Sequence, residues 1–229
     1  MTATKKPPGR RLFFALWPDA NVRQALATRA AGVHEALRKV ADDAPAAADT
    51  PDGGQPKPKG KGQPKPQGKG RPKPQGKGRP ARRHTGAGRP IPDANLHLTL
   101  AFLGKVEETR IPDLLAATGQ LAMSAFDLRI DRRGRWPRSG ILWLAPSAPP
   151  AALNRLVKGI WGALEPLEFW SDFRDFRPHV TIARRCGLGE AGEVAPVNWP
   201  VREFALMVSD LDHKGASYRV LERWPLKPA

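Results

Sequence analysis

The sequence predicts a fold that mixes β-strands with three α-helices, and three observations support it. Short apolar and aromatic runs begin and end the ordered part of the chain, at residues 11–17 and 217–224. Between them, three longer stretches space their apolar residues three or four apart, which is typical of helices with one buried face. Apolar residues make up 40% of the 229 residues, enough to fill a sizeable core.

Local signals place the individual elements. Asp19 follows the first strand and is positioned to cap a helix whose apolar stripe runs from Val22 to Val40. A Pro-Pro pair at 149–150 opens the third helix, which Pro166 closes. Apolar patterns predict the other elements: strands at 96–103, 126–131, 141–145, 179–184 and 201–211, and a helix at 107–123.

A low-complexity insertion interrupts this body at residues 41–89. It consists mainly of Ala, Asp, Pro, Gly, Lys and Gln, and it contains the octads QPKPKGKG, QPKPQGKG and RPKPQGKG. Proline favours extended backbone, glycine breaks it, and no apolar face is present. We therefore expect a disordered loop inside a single domain of residues 11–226.

Most of the net charge of +16 belongs to this insertion. Residues 51–90 contain twelve basic residues and one acidic residue, whereas the rest of the chain has 26 basic and 21 acidic residues. Two interpretations stay open. The segment either makes nonspecific phosphate contacts with RNA, or it is a tolerated expansion of a surface loop.

Composition also limits the expected compartment and cofactors. The single cysteine, Cys186, excludes an internal disulfide framework. The apolar run at 12–17 is too short for a signal peptide, and no run approaches the roughly 18 residues that a membrane helix needs. We expect a soluble, cytoplasmic monomer without a cofactor.

Two five-residue stretches share one pattern, HLTLA at 97–101 and HVTIA at 179–183. In a β-strand this alternation places the histidine and the threonine on the same face. An imidazole transfers protons and a hydroxyl donates a hydrogen bond, so two such strands facing each other would enclose a small anion. The repeat predicts one site built from His97, Thr99, His179 and Thr181.

These residue types favour displacement at phosphorus. One imidazole would remove a proton from the attacking oxygen and the other would protonate the leaving oxygen, while the threonines and Arg184 hold the remaining oxygens. A metal-dependent diesterase would need acidic ligands, which neither stretch contains. Cys186 has no evident activating partner for a thiol nucleophile. We therefore expect a reaction that needs no metal.

The flanking segments extend this pattern. They are RLFFAL, PDANLHLTL with AFLG after it, ILWL, RPHVTIARR and VLERWPL. Together they resemble the two-histidine phosphoesterase superfamily, in particular its RNA 2′,3′-cyclic phosphodiesterase branch, which is also called 2′-5′ RNA ligase-like. The resemblance implies an α+β fold in which two pseudo-symmetric lobes, each built on an antiparallel sheet, meet at a central cleft. It also implies metal-independent hydrolysis of an RNA or nucleoside 2′,3′-cyclic phosphate to a 2′-phosphate.

The resemblance assigns a role to each matching residue. His97 and His179 form the acid–base pair, with His179 activating water and His97 protonating the departing 3′ oxygen. The phosphate is bound by Thr99, Thr181 and Arg184. Phe102 occupies the position after His97 that Arg184 occupies after His179, so we expect an asymmetric site. Phe14 offers an aromatic face for nucleotide stacking, with core packing as the alternative.

Two other functions stay open. The chain could be a non-catalytic module that binds RNA ends or other polyanions, with the insertion supplying most of the affinity. It could also join RNA ends through a 2′-5′ linkage, although dilute RNA ends in water disfavour that direction. The sequence departs from the family at Arg89-Pro90-Ile91, where the proline predicts a weak edge strand.

Overall fold

The computed structural model describes residues 9–42, 88–170, 176–187, 189, 191–212 and 215–228. The insertion predicted at 41–89 lies outside these ranges except at its ends, where 41–42 finish a helix and 88–89 lead into a strand. Its disorder and its contacts with RNA therefore stay predictions. None of the described helices is both long and apolar enough to span a membrane.

Within the described ranges, nine strands form one sheet. Their bounds are β1 Gly9–Leu16, β2 Arg89–Pro90, β3 Leu98–Glu107, β4 Phe126–Trp136, β5 Ile141–Ala145, β6 Val180–Arg184, β7 Gly192–Val201, β8 Glu203–Asp212 and β9 Gly215–Pro225. The order across the sheet is β7-β4-β5-β6-β3-β1-β8-β9, and β2 pairs with β6 outside this path. All of these pairings are antiparallel.

In the described part of the chain, three α-helices cover one face of this sheet. They are α1 Ala20–Asp42, α2 Ile111–Gly119 and α3 Ala151–Leu164. Each contributes to one large buried cluster with the strands, for example through Leu26 of α1, Leu114 of α2 and Ile160 of α3. The opposite face carries a smaller cluster around Phe13 and Met207. Helices on one side leave the other side of the sheet available for a site.

The helix boundaries follow from local chemistry. The Asp19 carboxylate accepts a hydrogen bond from the Val22 amide at 2.8 Å, which confirms the predicted cap. Helix α2 is shorter than the predicted 107–123, because β3 extends to Glu107 and a 3-10 turn precedes the helix. Pro112 lies in its first turn, where no helical amide partner is lost.

One strand prediction was too short, and one strand was not predicted. Strand β4 continues to Trp136, beyond its predicted end at residue 131. Strand β7 was not predicted, because Pro196 and Pro200 conceal its alternation. Its inward residues are Val197, Trp199 and Val201. The strand lies at one end of the sheet order, where proline is tolerated since no further strand needs its amide.

The sheet has two halves with a narrow junction. Strands β1, β3, β8 and β9 form one half and β4, β5, β6 and β7 the other, and a single residue pair, Leu98 with Val180, joins β3 to β6. The α+β class is confirmed, whereas two separate sheets are not. The single described sheet nevertheless brings both repeated stretches to its centre.

The junction should be important for stability. Leu98 is fully buried, so Leu98→Ala leaves a cavity at the only described pair between β3 and β6. We expect a loss of about 2–5 kcal/mol of unfolding free energy, measured by urea unfolding. Leu115→Ala in α2 is the control, because Leu115 is only partly buried and should cost less. An equal or smaller loss for Leu98→Ala would contradict the structure.

Candidate active site

The register at the junction brings the two repeated stretches together. Because Leu98 faces Val180 in an antiparallel pair, His97 stands across from Thr181 and Thr99 across from His179. Leu98 and Val180 are fully buried against the helices, so the four polar side chains lie on the open face. The predicted site therefore forms at the centre of the sheet, with each histidine beside the other stretch's threonine.

Both histidines are held by the same hydrogen bond. His97 Nδ1 lies 2.7 Å from the Asn95 carbonyl oxygen, and His179 Nδ1 lies 2.8 Å from the Arg177 carbonyl oxygen. A carbonyl can only accept, so each Nδ1 must carry the proton. In the neutral form each Nε2 then has a free lone pair. The backbone thus sets the tautomer in which Nε2 is the atom that exchanges protons.

A β-bulge follows each histidine at the same offset. In β3, Phe14 pairs with Ala101 but Ala15 with Thr99, which leaves Leu100 as an extra residue. In β6, Leu142 pairs with Ala183 but Trp143 with Thr181, which leaves Ile182 extra. Each extra residue lies three positions after its histidine. A bulge reverses the alternation of side chains beyond it.

These bulges decide which residues reach the site. In an uninterrupted strand, a residue five positions after the histidine would point to the opposite face. The bulges instead bring Phe102 and Arg184 to the open face, where both line the same cavity. The expected asymmetry is present: Phe102 is 45% exposed and the Arg11 guanidinium lies 4.9 Å from its ring centre.

The carbonyl of the extra residue in β6 accepts hydrogen bonds from the segment after β2 and from α1. The Ile91 amide donates to the Ile182 oxygen at 2.9 Å, and His34 Nε2 on α1 lies at 2.9 Å from the same oxygen. Helix α1 and the segment after β2 therefore stabilise the bulge. His34 is partly buried and contacts the strand that carries His179.

Aromatic rings surround the two imidazoles. The ring centre of His97 lies 5.1 Å from Phe13, 5.1 Å from Tyr218 and 5.8 Å from Trp17. The ring centres of His179 and Trp136 lie 4.6 Å apart in a T-shaped arrangement. The sequence prediction missed these rings as site residues. Alternation in β1 places Phe13 and Trp17 on one face, but β1 alone does not show that this face carries the site.

These surroundings keep both imidazoles neutral at pH 7. Burial lowers the pKa of His97 from 6.5 to about 4; the hydrogen bond to Asn95 opposes this, and the charges of Arg184 and His179 lower it further. Burial likewise lowers the pKa of His179, against the bond to Arg177 and with a contribution from Arg184. In the free protein, Nε2 of both imidazoles is therefore unprotonated.

A cavity of about 530 Å³ opens beside the junction. Its described lining includes His97, Thr99, Thr181 and Arg184, but not His179, which lies against Trp136. The lining also contains three arginines that the prediction did not include, Arg11, Arg89 and Arg185. No carboxylate is present among the described lining residues, so the cavity fits an anion.

The predicted stacking residue Phe14 does not line the cavity, and neither does Cys186, which was not predicted to be catalytic. Phe14 is fully buried and packs against Phe204 and Trp224 on the helix-covered face, so the stacking role does not fit and the core alternative does. Its neighbour Phe13 faces the site instead. Cys186 is fully buried.

Comparison with known sequences identifies the family. The sequence profile of the 2′-5′ RNA ligase superfamily matches residues 73–213. The RNA 2′,3′-cyclic phosphodiesterase of Escherichia coli (strain K12) is 35% identical over 144 residues, covering 61% of this chain and 81% of that protein. The enzyme of the same name from Thermus thermophilus is 37% identical over 155 residues, covering 61% and 76%. The chain belongs to the 2′-5′ RNA ligase superfamily.

Solved structures agree with this membership. The crystal structure of E. coli LigT with NADP+ superposes with a TM-score of 0.64 at 26% identity, covering 96% of this chain and 99% of that one. The crystal structure of TT0787 from T. thermophilus gives a TM-score of 0.62 at 28% identity, with 95% and 98% coverage. The resemblance seen in the sequence segments is thereby confirmed.

The electrostatic coupling of the site can be measured directly. Arg184→Gln removes a positive charge that lowers the pKa of both His97 and His179, so both values should rise. Histidine resonances followed by NMR from pH 3 to pH 8 would show it. Arg155→Gln, on the exposed side of α3, is the control and should change neither value. Unchanged pKa values in Arg184→Gln would show that the guanidinium is not near the imidazoles.

Proposed function

We propose that this chain hydrolyses RNA 2′,3′-cyclic phosphate ends to 2′-phosphates, without a metal, by acid–base catalysis from His97 and His179. The observation that carries the proposal is the pair of imidazoles, each fixed through Nδ1, at one strand junction. The relatives named RNA 2′,3′-cyclic phosphodiesterase support the substrate class. The cavity's guanidinium and hydroxyl groups, without a described carboxylate, suit a phosphate rather than a cation.

In the proposed reaction, water attacks phosphorus and the bond from phosphorus to O3′ breaks. His179 Nε2 accepts the proton of the attacking water, and protonated His97 donates its proton to O3′. The product has a 2′-phosphate and a free 3′-hydroxyl. His179 then releases a proton to solvent and His97 takes one up, which returns both imidazoles to their starting states.

The remaining site residues bind the phosphate in this scheme. Thr99 and Thr181 lie beside the imidazoles on the open face and would donate hydroxyl hydrogen bonds to the non-bridging oxygens. Arg184 would hold the same oxygens with a charged, two-pronged donor. These interactions strengthen as negative charge develops at phosphorus, so they favour the transition state over the bound substrate.

We also propose that the two halves of the sheet are a structural repeat. Each half contributes one strand with the His-x-Thr pattern, one Nδ1 hydrogen bond to the carbonyl two residues earlier, and one bulge three residues after the histidine. These three features at matching positions support a duplicated, bilobal origin. The pairing of Leu98 with Val180 then joins the two copies at one cleft.

Ligation uses the same residues with a different nucleophile. If the 5′-hydroxyl of a second RNA replaced water, attack on the cyclic phosphate would form a 2′-5′ linkage and release the same 3′ oxygen. The description of the family as a 2′-5′ RNA ligase superfamily makes this a second candidate. Its test is the appearance of joined product from defined RNA halves.

Loss of either imidazole should nearly abolish turnover. We expect His97→Ala and His179→Ala each to lower kcat by about 10²–10⁴-fold on adenosine 2′,3′-cyclic phosphate in chelator-treated protein. The product should carry its phosphate on O2′, which chromatography against adenosine 2′- and 3′-phosphate standards would show. Arg155→Gln should keep full activity. Full activity in either histidine variant, or activity lost on chelation alone, would overturn the proposal.

The acid role of His97 makes a separate prediction. Burial keeps this imidazole neutral in the free protein, so it can act as an acid only if bound phosphate raises its pKa. With adenosine 2′-phosphate bound, we expect a rise of about 1–3 pH units by NMR, because an anion stabilises the imidazolium. A pKa that stays near 4 in this complex would instead make His97 the base and His179 the acid.

A further inference from the structure

We propose that Arg89 and Arg185 form a second phosphate site, which binds the phosphate on O5′ of the nucleoside that carries the cyclic end. The inference rests on the proposed function and specifies its substrate. The cyclic phosphate would lie at the threonines and Arg184, and the preceding phosphate of the RNA chain at the two further arginines. The preferred substrate is therefore an RNA chain rather than a free cyclic nucleotide.

The first argument is the charge of the cavity. Arg89, Arg184 and Arg185 all line it, and no carboxylate among the described residues pairs with any of them. A 2′,3′-cyclic phosphate carries one negative charge, which Arg184 and two hydroxyls can balance. Two further guanidinium groups match a second anion.

The second argument is the backbone at Arg185. Its backbone has φ of 56°, a left-handed conformation that residues other than glycine rarely adopt. In a continuing strand, Arg184 and Arg185 would point to opposite faces. The turn at Arg185 ends β6, and both side chains line the same cavity. Strained backbone that delivers a charge to a cavity without a described carboxylate is typical of a binding site.

The third argument is the placement of Arg89. Strand β2 pairs Arg89 directly with Arg184 on β6, although two like charges at paired positions repel each other. Gly88 precedes it with φ of 78°, and a Cβ there would lie 2.9 Å from the Cα of Cys186. This close approach, which only glycine permits, fixes the segment against β6. The arginines are therefore held together despite their repulsion, and a bound anion would offset it.

The proposed ligand follows from the chain chemistry of the substrate. A nucleoside with a cyclic phosphate has one other position where an RNA chain carries phosphate, the O5′ atom. That phosphate is a diester in RNA and a monoester in a nucleoside 5′-phosphate. Both forms present charged oxygens to guanidinium groups. Substrates that differ only at O5′ therefore show whether the site binds the diester, the monoester or both.

The experiment compares kcat/KM on three substrates: adenosine 2′,3′-cyclic phosphate, the same compound with a 5′-monophosphate, and the dinucleotide ApA with a 2′,3′-cyclic end. We expect the wild type to prefer the dinucleotide. Arg185→Asn should lower kcat/KM on the dinucleotide by about tenfold and change it less than about twofold on the substrate without a 5′-phosphate. Asparagine tolerates the left-handed backbone, so the fold should be retained.

Matched variants separate charge from shape. Arg89→Gln should repeat the selective loss, Arg185→Lys should keep most of the preference, and Arg155→Gln should keep all of it. A preference for both 5′-phosphorylated substrates would support a site for any O5′ phosphate, and a preference for the dinucleotide alone would support a diester site. Equal losses on all substrates, or no loss on any, would overturn the proposal.

A binding measurement keeps this test independent of turnover. Adenosine 2′-phosphate and the dinucleotide ApA 2′-phosphate are unreactive products that differ by the internucleotide phosphate. By calorimetry, Arg185→Asn should bind the dinucleotide product more weakly than the wild type does. It should bind adenosine 2′-phosphate as the wild type does. If the wild type hydrolyses no cyclic phosphate but this difference holds, the proposed reaction fails and the second phosphate site stands. If Arg185→Asn binds both products as the wild type does, the site fails.

Discussion

The antiparallel pairing of Leu98 with Val180 is the constraint on which the site depends. It is the only residue pair that joins β3 to β6 in the described sheet, and it fixes the register of both repeated stretches at once. A slip of one residue would turn every polar side chain of one stretch toward the helix-covered core. Burial of both residues opposes such a slip, because a histidine or threonine in their place would lose its hydrogen bonds to water. The burial that stabilises the core therefore also fixes the geometry of the site.

The two bulges bring additional side chains to the open face of the sheet. Strict alternation would supply a histidine and a threonine from each strand and would turn the residue five positions after the histidine away from them. One extra residue in each strand reverses that orientation and adds Phe102 on one side and Arg184 on the other. The cost is an interrupted hydrogen-bond ladder. In β6, the Ile182 oxygen has donors from Ile91 and His34.

The site combines neutral imidazoles with a positively charged cavity. The imidazoles are partly enclosed by aromatic rings and stay neutral, while the cavity beside them contains four arginines without a described carboxylate. Neutral imidazoles near guanidinium groups give a free site that attracts anions and holds proton acceptors ready. A bound phosphate would reverse the local field and favour the protonated imidazole. Binding of the substrate would then create the acid that the proposed reaction needs.

Residue chemistry could be predicted from the sequence, whereas the arrangement of those residues depended on tertiary structure. The His-x-Thr repeat, Arg184, the three helices and the α+β class were predictable because they depend on residue type, local periodicity and a family resemblance carried by short segments. The sequence did not predict the single continuous sheet, the length of β4 or strand β7. It also did not predict the places of Phe13, Arg89 and Arg185. Each depends on which strand lies beside which and on where the register shifts, and no local pattern encodes either. Phe14 and Phe13 illustrate the reason: alternation separates their faces, but only the packing of helices on one side of the sheet decides which ring is core and which faces the site.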